Sequence, residues 1–387
     1  MNQRTDVVVP GLGLGGEYVA GALAEAGLDV VGVEAGPVGG MCPYWACVPS
    51  KMMVRAGCLL AEAGRVPVLA GGAAVTADSA KVSGRIRDEA TDNWDDRVAA
   101  DRLAAKGVTL VRGTGRLAGP HRVTVGDSTI DARRGVVPAT GTQPRIPPVP
   151  GLMGTPYWTD RDAMATGKPP TSMIVLGGGA VGVEVAQVFA RSRCVVTVIE
   201  GQDRLLAREE PEVGDLAEQA LRTDGVRVLT GVRAGQIAHD GTTFTVRLGD
   251  GGETPHAERL LAATGRHADL SALGVETVGL HLTAAEVPTD GRVRVTEGLW
   301  AIGDLTGRGA FTHVSMYQAE MAVRNIPVQS GPEAEVGATS AGPSGGEALY
   351  GLNVAAHAEV PVDRLPDMIY TYPTFRRTVG AALGALR

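Results

Sequence analysis

Aromatic residues are scarce in this chain, at 4% of 387 residues, and lysine occurs only four times. With 54 glycines, such a composition favours tight turns and close backbone approaches over a large aromatic core. No apolar run approaches the roughly 20 residues that span a bilayer. A net charge of −7 gives no reason to expect nucleic acid or an anionic membrane surface as a partner. The opening "MNQRTDVVVPG" enters a strand pattern within five residues, which leaves no room for a signal peptide, and a cytoplasmic protein is expected. Cysteine is scarce too. Two of the four, Cys42 and Cys47, share the segment "GGMCPYWACVPSK", residues 39–51. In a reducing compartment a local pair points to catalysis or metal binding rather than a structural crosslink. No further Cys or His clusters around it, which argues against a metal site.

What the sequence does contain is one pattern written twice. "DVVVPGLGLGGEYVAGALAEAGLDVVGVEAG" reads as strand, glycine turn, helix and strand, with Gly11, Gly13 and Gly16 as G-x-G-x-x-G and Glu34 closing the second strand. "SMIVLGGGAVGVEVAQVFARSRCVVTVIE" repeats it with Gly177, Gly179, Gly182 and Glu200. First glycine to acid is 23 residues in both copies. The glycines permit a tight turn and let a pyrophosphate approach a helix N-terminus, and the carboxylate accepts from an adenosine ribose. Ordinary βα turns also use glycine, but matched context in two copies points to two bound dinucleotides. At the second site Glu200 would repel a 2′-phosphate, favouring NAD over NADP. Arg191, Arg193 and Arg204 lie near in sequence and are expected to be solvated surface charge.

In their order, the first dinucleotide motif, "GGxCxxxxCxPSK", the second motif and a late "LWAIGD" resemble the class I pyridine nucleotide–disulfide oxidoreductases: dihydrolipoamide dehydrogenase, glutathione reductase and mercuric reductase. The likeness runs over about residues 5–325 and resumes at about 337–387. It implies an α/β fold of two Rossmann-like dinucleotide-binding domains plus a reduced α+β interface segment. The FAD domain would be split (1–150 and 267–325) around an NAD domain (151–266), with 326–387 as the interface segment. FAD would lie at the first motif and NAD at the second. The resemblance sets Gly115 by the adenine, Thr140 and Gly141 at the crossover out of the FAD domain, and Gly265 at the return. Asp304 would bind the ribityl chain, Thr312 and His313 would start a helix at the flavin pyrimidine end, and Lys51 would approach flavin N5 while pairing with Glu184.

The resemblance also makes Cys42 and Cys47 a redox-active disulfide, Cys47 the thiolate against the flavin and Cys42 the thiol that attacks substrate. A disulfide needs Cα atoms within about 4.4–6.8 Å. Residues five apart in a regular helix are too distant, so a distorted turn entering a helix is expected, with Pro43 and Pro49 suiting the distortion. Cys58 and Cys194 are expected to be small buried residues.

Three departures from the family pattern stand out. Pro10 and Pro138 fall at strand ends, where each removes a ladder donor. The family's "HPTxxE" becomes "YPTFRR", with Tyr372 and Arg377 at the proton-handling positions, and a phenol is a poor base at neutral pH. His313 is a candidate substitute. Mercuric reductases also lack that histidine, but they use a C-terminal cysteine pair where this sequence reads "GAALGALR", which disfavours mercury. The interface segment is about half the usual size, so a weakened homodimer is expected. The leading expectation is an NADH-dependent reductase of a small or lipoyl-like disulfide. An NADH:quinone or oxygen oxidoreductase and a catalytically impaired dinucleotide-binding protein are the alternatives.

Overall fold

Valine runs set the architecture. In the computed structural model, which describes residues 2–249 and 251–326, Val7, Val8, Val9, Val30 and Val31 have no solvent exposure. Continuous β-branched runs of this kind suit strands covered on both faces. The chain opens with β1 (Asn2–Pro10), α1 (Leu14–Glu25) and β2 (Val30–Glu34). A short helix α2 (Met41–Tyr44) and the long α3 (Cys47–Leu69) follow. Then come α4 (Ser79–Arg85), a π-helical turn (Ile86–Ala90) and α5 (Arg97–Ala105). Strands β3 (Val108–Arg112), β4 (Gly115–Leu117), β5 (Arg122–Val125) and β6 (Ser128–Val136) complete this stretch.

The next stretch begins with β7 (Gln143–Pro144) and α6 (Asp160–Ala165). It continues through β8 (Ser172–Leu176), α7 (Ala180–Arg191), β9 (Val195–Ile199), α8 (Pro211–Thr223) and β10 (Arg227–Leu229). A meander of β11 (Ala234–His239), β12 (Phe244–Leu248) and β13 (His256–Ala257) leads into β14 (Arg259–Ala262) and β15 (Arg266–His267). The return segment holds α9 (Leu270–Leu273), β16 (Arg294–Thr296), β17 (Leu299–Trp300) and α10 (Thr312–Asn325).

The first sheet has the order β16-β17-β6-β1-β2-β3, with β4 and β5 attached through β6. Alternation along β1 divides its two cores. Val7 and Val9 pack with Leu23 of α1 and Ala322 of α10, while Val8 packs with Leu117 and Val123 of the β4–β5 layer. The second sheet, β10-β9-β8-β14, is parallel throughout and is built the same way. Met173 and Val175 of β8 meet Phe189 of α7, and Ile174 and Leu176 meet Phe244 and Val246 of the meander. Both glycine turns therefore stand at the C-terminal ends of central parallel strands, where ligands bind in open α/β sheets. Between the two sheets the chain crosses on a two-stranded antiparallel ribbon, β7 with β15.

Pro10 ends β1 and Pro138 follows β6. Ala139 donates to Pro10 O, and Ile302 donates to Pro138 O, so both carbonyls remain in the ladder. Each proline removes one donor from the rim of the sheet. Among the described residues no helix is long and apolar enough to cross a membrane. Tyr372, Arg377 and the rest of the expected interface segment lie outside the described residues.

Candidate functional site

The segment that carries Cys42 and Cys47 is a broken helix. α2 ends at Tyr44, Trp45 and Ala46 leave helical geometry, and α3 starts at Cys47. Trp45 N and Ala46 N both donate to Met41 O, closing the short turn under Cys42. Pro49 sits in the first turn of α3, where a missing N–H costs nothing. The break brings the two sulfurs together, with the Cys42 thiol hydrogen-bonded to Cys47. Thr312, the first residue of α10, has its hydroxyl 3.3 Å from Cys47 Sγ.

These contacts separate the two thiols. Cys47 falls from the ordinary 9.0 to about 6, chiefly because Cys42 donates to it; Thr312 and the charge of Lys51 act in the same direction. Its place at the N-terminus of α3 also favours an anion. Cys42 moves upward, because ionising it would break the bond to Cys47 and burial adds to that cost. The arrangement is a thiolate at Cys47 and a protonated thiol at Cys42.

One turn on, Lys51 Nζ lies 2.5 Å from Glu184 Oε1 on α7. The helix that begins at Cys47 is thereby tied to the helix of the second glycine motif. Cys194 is buried, and burial pushes its thiol up to about 12. Cys58 is only half-buried, contrary to expectation, with Arg191 Nη1 3.5 Å from its sulfur. Arg191 is not solvated surface charge either. It pairs with Asp224 at 3.0 Å, and both side chains are more than four-fifths buried. Arg204 likewise turns inward to the carbonyls of Ala207 and Glu209.

The two glycine turns are near copies in detail. A Cβ at Gly16 would stand 2.0 Å from Gly11 O, and one at Gly182 would stand 2.0 Å from Gly177 O. Gly11 (φ +90°) and Gly177 (φ +107°) press against Ala139 O and Ala263 O. Glu34 accepts from Leu12 N (2.6 Å) and Gly36 N (2.7 Å). Glu200 accepts from Gly178 N (2.5 Å) and Gln202 N (2.7 Å). Gly115 packs against Pro10 and Val33 at the rim of the first sheet, and Thr140 backs onto Gly11. Gly141 (φ +64°) and Gly265 (φ +111°) mark the outward and return crossings, with open space beside each.

Residues 5–320 match the Pyridine nucleotide-disulphide oxidoreductase family. The chain belongs to that family. It is 31% identical to the mercuric reductase of Acidithiobacillus ferrooxidans over 337 residues, 84% of this chain and 61% of that protein. It is 31% identical to the dihydrolipoyl dehydrogenase of Chlorobaculum tepidum over 336 residues, 84% of this chain and 71% of that protein. Among solved structures, the HOCl-induced flavoprotein disulfide reductase RclA from Escherichia coli superposes with a TM-score of 0.82 at 21% identity, covering 99% of this chain and 100% of that one. LpdA from Mycobacterium tuberculosis gives 0.82 at 22% identity, covering both chains in full. These two establish the α/β flavoprotein disulfide reductase fold. The chain spans 61% and 58% of the mercuric reductases of Acidithiobacillus ferrooxidans and Shigella flexneri.

Pyridine nucleotide–disulfide oxidoreductases use FAD and a pyridine nucleotide, and the residues present fit both. Gly13 and Gly179 are the N-caps of α1 and α7, and neither caps its helix with a side chain. A Cβ at either would meet nothing within 4 Å. Each turn is thus closed by glycines behind and open at its N-cap, at the end of a helix whose first N–H groups have no intrahelical acceptor, as a pyrophosphate requires.

Sequence reading missed a chain of side chains beneath the crossing ribbon. Thr142 donates to Asp304 Oδ2 (3.0 Å), Arg266 Nε donates to Thr142 Oγ1 (2.9 Å), and Arg266 Nη1 meets Asp160 Oδ2 (2.8 Å). The signal was adjacent to residues already singled out: Thr142 follows Gly141, and Arg266 follows Gly265. His313 is exposed and stacks on Phe311, ring centroids 5.3 Å apart.

Proposed function

We propose that the chain is an NADH-dependent FAD disulfide oxidoreductase that works through a Cys42–Cys47 disulfide on a small or lipoyl-type disulfide. The observation that carries this reading is the split between the thiols: a thiolate at Cys47, held by Cys42, Thr312 and Lys51, beside a protonated Cys42. FAD, when bound, would carry an electron pair from the nicotinamide to the Cys42–Cys47 disulfide.

In the proposed cycle that pair breaks the S–S bond, leaving the Cys47 thiolate and, with one proton, the Cys42 thiol. Cys42 then loses its proton and attacks a substrate disulfide, forming a mixed disulfide and releasing one thiolate, which takes up that proton. Cys47 attacks the Cys42 sulfur next. The internal disulfide returns, and the second substrate thiolate leaves and is protonated from solvent. Lys51 keeps Cys47 ionised, and Glu184 fixes the lysine. Gly11, Gly13, Gly16, Glu34, Gly115, Thr140, Gly141, Gly265, Asp304 and Thr312 are assigned to FAD. Gly177, Gly179, Gly182 and Glu200 are assigned to NAD.

The proposed division is an FAD domain at 1–150 and 267–325, an NAD domain at 151–266 and an interface segment at 326–387. Through that segment a homodimer weaker than the family norm would offer Tyr372 across the interface. Turnover of a panel of disulfides, quinones and Hg(II) by the unaltered protein, Cys42→Ser and Cys47→Ser tests the reading. Loss of disulfide turnover in both variants is expected. Unchanged turnover of every disulfide in both would sink it.

A further inference from the structure

Trp45 lies between the two cysteines and packs against two side chains from elsewhere in the chain. Trp94 stacks on one side with ring centroids 5.3 Å apart and planes 17° from parallel. The Arg161 guanidinium sits over the ring, 5.8 Å from a centroid. The same arginine reaches Met41 Sδ at 3.4 Å, and Trp94 Nε1 donates to Tyr44 O at 3.2 Å. Three of the residues that form the turn around Cys42, namely Met41, Tyr44 and Trp45, are therefore gripped from outside it. The Trp45 indole N–H is buried without a partner, so the ring is held by its faces and not by its polar edge.

The segment that delivers Trp94 is built against local preference. Asp92, Asn93 and Trp94 all have positive φ, at 46°, 56° and 59°. Asp and Asn tolerate the left-handed region, whereas a bulky aromatic does so only under outside constraint. A π-helical turn precedes them, another unfavourable geometry that recurs at functional sites. Thr91, 2% exposed, anchors the run: its hydroxyl bonds back to Ile86 O (3.0 Å), and it accepts from Trp94 N (3.3 Å). Local strain of this kind persists where the surrounding structure over-determines it. Here Trp94 meets the turn around Cys42, stacking on Trp45 and donating to Tyr44 O.

We propose that Trp94 and Arg161 are positioning residues for the Cys42–Cys47 pair, clamping Trp45 so that the two sulfurs stay in contact when reduced. The inference rests on the redox role proposed for that pair. A disulfide forms more readily from thiols already held together, so the clamp favours the disulfide and lowers the reduction potential of the pair.

The test uses the full-length, FAD-loaded protein equilibrated in thiol–disulfide buffers of graded poise, with free thiols trapped and counted at Cys42 and Cys47. Trp94→Ala is expected to shift the equilibrium about tenfold towards the dithiol, ~30 mV for a two-electron couple. Trp94→Phe, which keeps a stacking face, should recover most of that shift. Arg161→Met, at an exposed position, should move the equilibrium in the same direction and keeps the test available if Trp94→Ala does not fold. A wild-type pair that forms no disulfide at any poise would overturn the proposed function and the clamp together. A wild-type pair that cycles, with both Trp94→Ala and Arg161→Met within twofold of it, would overturn the clamp alone. So would variants that lose melting temperature without moving the equilibrium constant, since that is what a merely structural contact would give.

Discussion

Lys51 Nζ and Glu184 Oε1 stand 2.5 Å apart and join the helix that begins at Cys47 to the helix that begins beyond Gly179. The two side chains are 63% and 39% exposed, so their attraction is screened and contributes at most about 1 kcal/mol to stability. Its consequence is electrostatic and local. Lys51→Met is expected to leave the melting temperature nearly unchanged while raising the pH at which Cys47 ionises, because the lysine charge is one of the influences that depress it. Thiolate absorbance of the reduced protein, titrated against pH, checks this.

The same titration on the unaltered protein gives a second expectation. Cys47 is depressed from 9.0 to about 6, so its thiolate is present above that pH and is lost as pH falls through about 6. The strongest influence is the hydrogen bond from Cys42. Cys42→Ala should therefore move the Cys47 midpoint upward further than Lys51→Met does. A midpoint that ignores Cys42→Ala would contradict the assignment of donor and acceptor.

Two neighbouring glycines of the second turn should behave in opposite ways. Gly179 has φ −76° and open space where a Cβ would point. Gly179→Ala should fold with stability within about 0.5 kcal/mol of the parent, as surface changes do, yet obstruct the pyrophosphate and weaken NADH binding at least about tenfold, ~1.4 kcal/mol. Gly182→Ala instead drives a Cβ to 2.0 Å from Gly177 O and should cost about 1–3 kcal/mol of stability as well. Calorimetric melting and NADH titration of the two variants separate the effects.

Glu200, the residue proposed to meet the NAD ribose, already accepts two backbone N–H groups. NADH should be the better donor. Glu200→Ala should narrow the NADH/NADPH ratio of kcat/KM by roughly ten- to a hundredfold, the worth of a charged hydrogen bond at about 1.5–3 kcal/mol. Equal efficiency with both donors in the unaltered protein would refute the assignment.

What could be seen in the sequence were features that chain-local rules govern. Glycine spacing, valine runs and the closing acids specify a strand–turn–helix–strand unit within about thirty residues, and both units stand where their patterns placed them. The need for a broken helix between Cys42 and Cys47 followed from the reach of a disulfide. Contacts made by tertiary packing were not legible. Nothing about Arg191 in the sequence says that Asp224, far along the chain, will bury its charge, or that its guanidinium will reach Cys58. The stacking of Trp94 on Trp45 depends on a π-helical turn and a left-handed run that no local preference predicts. Arg266 and Thr142 meet only because two crossings of the chain are laid side by side as a ribbon.

Anaerobic titration of the FAD-loaded protein with NADH, followed by visible absorbance, tests the central claim most directly. If Cys42 and Cys47 form a disulfide in electronic contact with the flavin, the protein takes up a second electron pair beyond the flavin's own. The half-reduced stage then shows a long-wavelength thiolate–flavin band that Cys47→Ser abolishes. Uptake of one pair only, with no such band in the unaltered protein, would contradict the account.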